Sequence, residues 1–171
     1  MKKSLRELCT AIAICFCATG NLFATDNQIN TDHTMDKNLN LIKEWDKVFP
    51  QSDKVSHSKV TFRNRYGITL AADMYKPKHA DGKLPAIAIS GAVKEQSSGL
   101  YAQELAERGF LTIAFDPSYT GESGGEPRYV ASPDINTEDF CAAVDFLSTR
   151  DDVDAEHIGI LGICGWGGMA L

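Results

Sequence analysis

The stretch Gly162-Ile163-Cys164-Gly165-Trp166-Gly167-Gly168 sets one cysteine among four glycines. It follows the apolar run Ile158 to Ile163 and precedes Met169-Ala170-Leu171. A strand that turns sharply into a helix needs small neighbours, because the two backbones nearly touch. The residue at the turn takes a strained conformation and is presented outward, which is the pattern of a nucleophile elbow. A thiol at that point would lie near the N-terminus of the following helix. Unpaired N–H groups and the helix dipole there favour thiolate. The chemistry expected is therefore nucleophilic, with Cys164 as the attacking group.

A nucleophile needs a base within about 3 Å. All four histidines precede Cys164. His33 falls in a polar leader, and His57 and His79 fall in loops before the core. His157 opens the strand that Cys164 ends, about 20 Å away along an extended chain, so it is read as structural. No His, Cys and carboxylate spacing fits a metal site, and neither a metal nor a cofactor is expected. Gly165 to Ala170 does match G-x-G-x-x-A after a strand. A dinucleotide site would open its domain and carry an acid about 20 residues further on, and neither condition is met. Ser123 follows Gly121-Glu122 but lies in a loop without an elbow. Asp116 is read as fixing the loop after its strand by hydrogen bonds. Cys141, between Phe140 and Ala142, and Trp45 are read as packing residues.

The elements that must position this chemistry follow from periodicity. Leu39, Ile42, Trp45 and Phe49 predict a short helix closed by Pro50. Residues 59–64 and 68–75 alternate around Arg65-Tyr66-Gly67 and predict an antiparallel hairpin, with Val60 and Phe62 on one face and Ile68, Leu70, Ala72 and Met74 sharing a face. The apolar runs 85–90, 110–115 and 158–163 predict strands, separated by helices over 100–108 and 136–150. Alternating strands and helices with continuous apolar strands predict an α/β domain whose sheet is mostly parallel. Chemistry in such sheets sits beyond the carboxyl ends of the strands: Ser90-Gly91, Asp116-Pro117 and Gly162 to Gly168.

The 171 residues, 43% hydrophobic and 23% charged, are enough for one soluble globular domain. A net charge of -6 argues against nucleic acid as a partner. Lys2, Lys3 and Arg6 precede the 11-residue apolar stretch 8–18 and then Leu22-Phe23-Ala24. The stretch is too short to span a bilayer, where about 20 residues are needed. Residues 1–24 are expected to be a signal peptide, 25–40 a flexible leader and 41–171 the domain, with a secreted or periplasmic location and no membrane span after cleavage. Cleavage would remove Cys9, Cys15 and Cys17 and leave Cys141 and Cys164, which is no disulfide framework.

Two longer stretches carry a family resemblance: Ala92 to Gly99 with Phe115 to Gly125, and Ile158 to Gly168. In order and spacing the region 60–168 resembles an α/β-hydrolase, in its dienelactone-hydrolase-like branch. The resemblance implies hydrolysis of an ester, lactone or thioester of a small-molecule acyl substrate, by acyl transfer to Cys164. It implies that the Gly165 N–H and the loop after residues 85–90 form the oxyanion hole, and that Glu95 lies near the thiol. The sequence departs from the family at Trp166, where a small residue is usual, and in the short loop Ser90-Gly91-Ala92-Val93. The family order of nucleophile, acid and histidine would also place an acid and a histidine after Cys164, where only seven residues follow. The expectation is thus a hydrolase domain incomplete after the elbow. A non-catalytic secreted domain, or a gene fragment of the same fold, is the alternative. Oligomeric state is left open.

Overall fold

Alternation of apolar and polar side chains over residues 55–77 builds a hairpin. In the computed structural model, which describes residues 39–91 and 93–171, β1 (Val55–Arg63) pairs antiparallel with β2 (Thr69–Pro77), in register from Val55 opposite Pro77 to Arg63 opposite Thr69. Asn64 closes the turn. Its Oδ1 accepts the N–H groups of Tyr66 (3.1 Å) and Ile68 (3.0 Å), and Gly67 takes φ +78°. The expected signal peptide and most of the leader lie outside the described residues, as do Cys9, Cys15, Cys17 and His33.

The apolar runs form β3 (Leu84–Ser90), β4 (Leu111–Phe115) and β5 (Val153–Gly162). Helix α1 (Gly99–Ala106) follows β3 and helix α2 (Pro133–Ser148) follows β4. The start of α2 is fixed by Pro133 in its first turn and by the Asn136 side chain, which accepts the Ser132 N–H at 3.0 Å. The strand order is β1-β2-β4-β3-β5.

This order corrects the expected mostly parallel sheet. β3 pairs parallel with β4 and with β5, but β2 pairs antiparallel with β4 through Ala72 opposite Phe115 to Tyr75 opposite Thr112. The hairpin forms one edge of the sheet, with β2 between β1 and β4. Half of the strand pairings are antiparallel, so the sheet is mixed. Periodicity reveals strands but not which strand lies beside which.

Both faces of β3 and β4 are covered, while the edge strand β5 is largely exposed. On one face α2 buries Phe140, Ala143 and Leu147 against Phe62, Leu70, Ala72, Ile113 and Phe115, so the face expected for Phe62, Leu70 and Ala72 is the core face. Phe62 stacks on Phe146 at 5.3 Å, and Phe115 meets Phe140 edge-on at 5.1 Å. On the other face Ala102 and Ala106 of α1 pack with Val55, Tyr75, Ile89 and Ala114. Cys141 is exposed, not core, because it sits about 100° round the helix from Phe140.

Residues 39–50 are irregular rather than helical. Ile42, needed for the apolar stripe, is exposed. The segment is tied sideways to other elements: Val48 N–H donates to the Glu95 carbonyl (3.1 Å), and the Lys47 ammonium pairs with Asp73 (2.8 Å). Trp45 still packs, edge-on to Phe49 and His57, while its Nε1 donates to the Phe49 carbonyl at 2.8 Å.

Candidate active site

The carboxyl ends of β3, β4 and β5 lie together. The Ile163 N–H donates to the Ser90 carbonyl at 3.0 Å, which joins the end of β5 to the end of β3. Cys164 follows with φ +61°, a left-handed conformation that disfavours every residue with a Cβ. Residues Cys164–Gly168 then form a tight 3-10 turn. The strained elbow expected from the glycine pattern is therefore present.

The glycines divide by function. A Cβ on Gly162 would collide with the Trp166 carbonyl, so only glycine lets the turn fold back on the strand. A Cβ on Gly91 would lie 2.7 Å from Ser98 Oγ and 3.3 Å from Ile163 Cβ, so β3, the loop after it and the elbow meet closely there. A Cβ on Gly165 or Gly168 would meet nothing within 4 Å. Trp166 is half-buried and packs against the cluster under α2. Its indole reaches that core while its carbonyl closes on Gly162.

The three expected site residues lie on two segments. Cys164 and Gly165 are exposed on the elbow. Glu95 lies in the distorted segment Lys94–Ser98 after β3, and its carboxylate pairs with the Lys94 ammonium. None of the described histidines serves Cys164. His57 Nε2 bonds Asp73 Oδ1 at 2.8 Å on the hairpin, and exposed His157 Nδ1 bonds Asp154 Oδ2 at 2.8 Å, in line with a structural role. His79 is exposed after β2. Cys164 Sγ has no hydrogen-bond partner among the described residues.

The serines at this end differ in how fully they are engaged. Ser118 is held in a buried network with Asp139 and Asn64. Ser123 Oγ donates to the Asp116 carbonyl (2.6 Å) and accepts the Ala71 N–H (2.9 Å). Ser90 Oγ makes one long bond to the Phe115 carbonyl, at 3.2 Å. Ser98 Oγ is buried with no hydrogen-bond partner among the described residues.

An ionic hub stands behind these strand ends, and the sequence reading did not find it. Lys94 is fully buried, and its ammonium meets Asp116 Oδ2 (2.7 Å), Glu122 Oε2 (2.9 Å) and Glu95 Oε1. Burial alone would pull the lysine down, but the Asp116 charge foremost, then Glu95 and Glu122, hold it above the usual lysine range. Burial pushes Glu122 up, yet the Ile42 N–H and the Lys59 and Lys94 ammoniums outweigh it and keep the carboxyl below its usual range. Asp116 fixes the following loop, as expected, by accepting the Glu122 N–H at 2.9 Å. Gly121, at φ +54°, is the residue whose Cβ would collide with that carboxylate.

Oxygens of Glu95, Asp116 and Glu122 lie within 4.8 Å of one another, a donor set that could in principle take a cation. The Lys94 ammonium already occupies its centre, so the set does not fit a metal. On the hairpin, Lys59 faces Asp73 in register and also reaches Asp46 (3.5 Å) and Glu122. The only signal in the sequence was charge at alternate positions, His57 and Lys59 against Asp73, on the face opposite Phe62 and Leu70.

Among the described residues, no helix is long and apolar enough to cross a membrane.

A model of the X-Pro dipeptidyl-peptidase (S15) family matches residues 66–171. The chain is similar to the uncharacterized protein PA2218 of Pseudomonas aeruginosa, 65% identical over 94% of this chain and 43% of that protein. The crystal structure of that protein superposes with a TM-score of 0.77 at 70% identity, over 79% of this chain and 43% of that one. The alpha/beta hydrolase GrgF from Penicillium superposes with a TM-score of 0.62 at 26% identity, over 67% and 39% of the two chains. Thiohydrolase aneE of Aspergillus aculeatus is 32% identical over 70% of this chain and 38% of its own. The chain thus spans about two fifths of the length of the curated relatives it matches. The fold is that of the α/β-hydrolase superfamily.

These findings overturn acyl transfer to Cys164. The matched family belongs to the serine class of peptidases, and the described residues place no base beside the thiol.

Proposed function

The chain belongs to the X-Pro dipeptidyl-peptidase (S15) family, and from that premise we propose that it carries serine-type hydrolase chemistry on a small-molecule acyl substrate, at the carboxyl ends of β3, β4 and β5. Ser90 is the proposed serine. The observation that carries this is its position: it ends β3, its carbonyl takes the Ile163 N–H of the elbow, and among the described residues its hydroxyl holds one long bond. Attack requires that hydroxyl to leave the Phe115 carbonyl and turn toward Gly91; the bond from Oγ to the acyl carbon then forms, the bond to the substrate's alcohol or thiol breaks, and the serine proton departs with that leaving group. Charge then develops on the substrate oxygen, and the exposed backbone of Gly165 and the loop after β3 are the proposed donors to it. Cys164 keeps a place in the site as the residue that shapes the elbow, and Glu95 as a wall of the loop after β3. No acyl bond to sulfur is involved.

The name of the thiohydrolase relative supports thioesters among the substrates to be tried. The segments 92–99, 115–125 and 158–168 support a place near the dienelactone-hydrolase-like branch. The basic start and apolar stretch 8–18 support export. A second reading, a non-catalytic domain of this fold, is favoured by one observation: no described histidine lies beside Ser90 or Cys164.

Labelling with a fluorophosphonate probe, followed by peptide mass mapping, tests the proposal. Label is expected on Ser90, absent in Ser90→Ala and retained in Cys164→Ala. Absence of label from every serine would overturn the proposal and leave the non-catalytic reading.

A further inference from the structure

The loop after β3 must hold its backbone donors still, yet it has little regular structure of its own. Segment Lys94–Ser98 carries a non-helical residue, Gln96 at φ −116° and ψ −120°, so helical hydrogen bonds do not set its shape. Contacts with other segments do. The Lys94 N–H donates to Asp116 Oδ1 at 3.2 Å, and the Lys94 ammonium reaches Asp116 Oδ2 at 2.7 Å. The same Asp116 carboxylate receives the Glu122 N–H at 2.9 Å, while the Glu122 side chain returns to the Lys94 ammonium at 2.9 Å. Backbone and side chain of Lys94 and of Glu122 thus close a ring around one carboxylate at the end of β4. The ring is enclosed: the side chains of Lys94 and Asp116 are fully buried and that of Glu122 is 9% exposed.

We propose that Lys94 is a positioning residue that locks the loop after β3 to the loop after β4, and so fixes the donor loop of the site. This rests on the reading that the carboxyl end of the sheet is the catalytic face. Lys94 is too enclosed to touch substrate, and its three carboxylate partners keep it an ammonium, so it transfers no proton. A buried ammonium with carboxylates on three sides is a geometric constraint: removing it leaves like charges facing one another, and the two loops part.

The test compares Lys94→Met, Lys94→Arg and the charge-balanced pair Lys94→Met with Glu122→Gln in the whole protein. Two readouts are taken: hydrogen exchange of the amides at positions 94 and 122, and kcat and KM on an activated acyl ester. Loss of the ammonium is expected to speed exchange at both amides by about 10-fold or more, while the Ala72 amide in β2 is unchanged. It is expected to lower kcat by about 100-fold with KM nearly constant, the cost of misplacing a loop by about 1 Å. Lys94→Arg should restore part of both effects. The charge-balanced pair keeps the protein folded should Lys94→Met fail to fold, and it should still show fast exchange and low kcat. Wild-type exchange and kcat in that pair would overturn the proposal, because Lys94 would then only neutralise charge. A wild-type protein without hydrolytic activity would sink the proposed function instead, and the exchange at positions 94 and 122 would still decide the role of Lys94.

Discussion

The elbow and the loop pair beside it are built in opposite ways. At the elbow, Cys164 is exposed and strained, its sulfur has no partner among the described residues, and the Ile163 N–H ties the turn to β3. In the loop pair, Lys94, Asp116 and Glu122 are enclosed and joined by hydrogen bonds from both backbone and side chain. A residue type that invites chemistry is thus lightly supported, and residue types that read as solvated loop are the most heavily supported. Support, more than identity, marks where a fold spends its interactions to hold geometry.

The comparison breaks most directly at Asp116. Asp116→Ala removes the acceptor of two N–H groups and one ammonium together. It should cost about 3–5 kcal/mol, the range for leaving a buried charge without its partner, and lower the urea midpoint accordingly. A cost below about 1 kcal/mol would show that the two regions are supported alike.

Acid should act on the same region. The carboxyls of Glu122, Asp73 and Asp46 are held below their ordinary values of 4.5, 3.8 and 3.8; burial opposes this, and bonds from Ile42 N–H, His57, Lys47, Lys59 and Lys94 outweigh it. The unfolded chain therefore binds protons first. Their contribution is complete above those ordinary values and is lost as pH falls through the lower folded-state ones. The urea midpoint should fall steeply below about pH 4, and Lys94→Met should flatten that fall. A midpoint independent of pH between about 2 and 5 would contradict the account of the hub.

Within the elbow, two glycines sharpen the contrast. Gly162→Ala drives a methyl into the Trp166 carbonyl and should cost about 1–3 kcal/mol. Gly165→Ala meets open space and should change stability by less than about 0.5 kcal/mol. Thermal melts of the two variants check this, and equal losses would mean that the elbow is close-packed throughout. A small effect of opposite sign is expected at Cys164→Gly. Relief of φ +61° offsets the greater freedom of glycine in the unfolded chain, so stability should rise by about 0–1 kcal/mol.

Much of the frame was legible in the sequence because it follows period. Helix α2 carries Phe140, Ala143 and Leu147 on the buried face. The runs in β3 and β4 are apolar because helices cover both sides. The segment 39–49 has helical spacing at Leu39, Ile42, Trp45 and Phe49, but Lys47 and the Val48 N–H find stronger partners in Asp73 and the Glu95 carbonyl. Tertiary pairing overrode local pattern there. Which hairpin strand pairs with β4 was not legible, because an antiparallel neighbour leaves no mark on an alternating strand. The elbow was legible from its glycines; its role was not, since a base is a matter of space and not of spacing. Lys94 was the largest omission. Lys94-Glu95-Gln96-Ser97-Ser98 reads as a polar loop, and the partner that buries the lysine, Asp116, is 22 residues away.

The central claim is serine-type chemistry at the end of β3 with Cys164 outside the covalent step, and trapping the acyl group tests it most directly. The protein would be mixed with an activated acyl ester, quenched in acid within the first turnover and digested, and the acyl group located by mass spectrometry. The account predicts an ester on Ser90, unchanged in amount in Cys164→Ala. A thioester on Cys164, lost in Cys164→Ala, would contradict it.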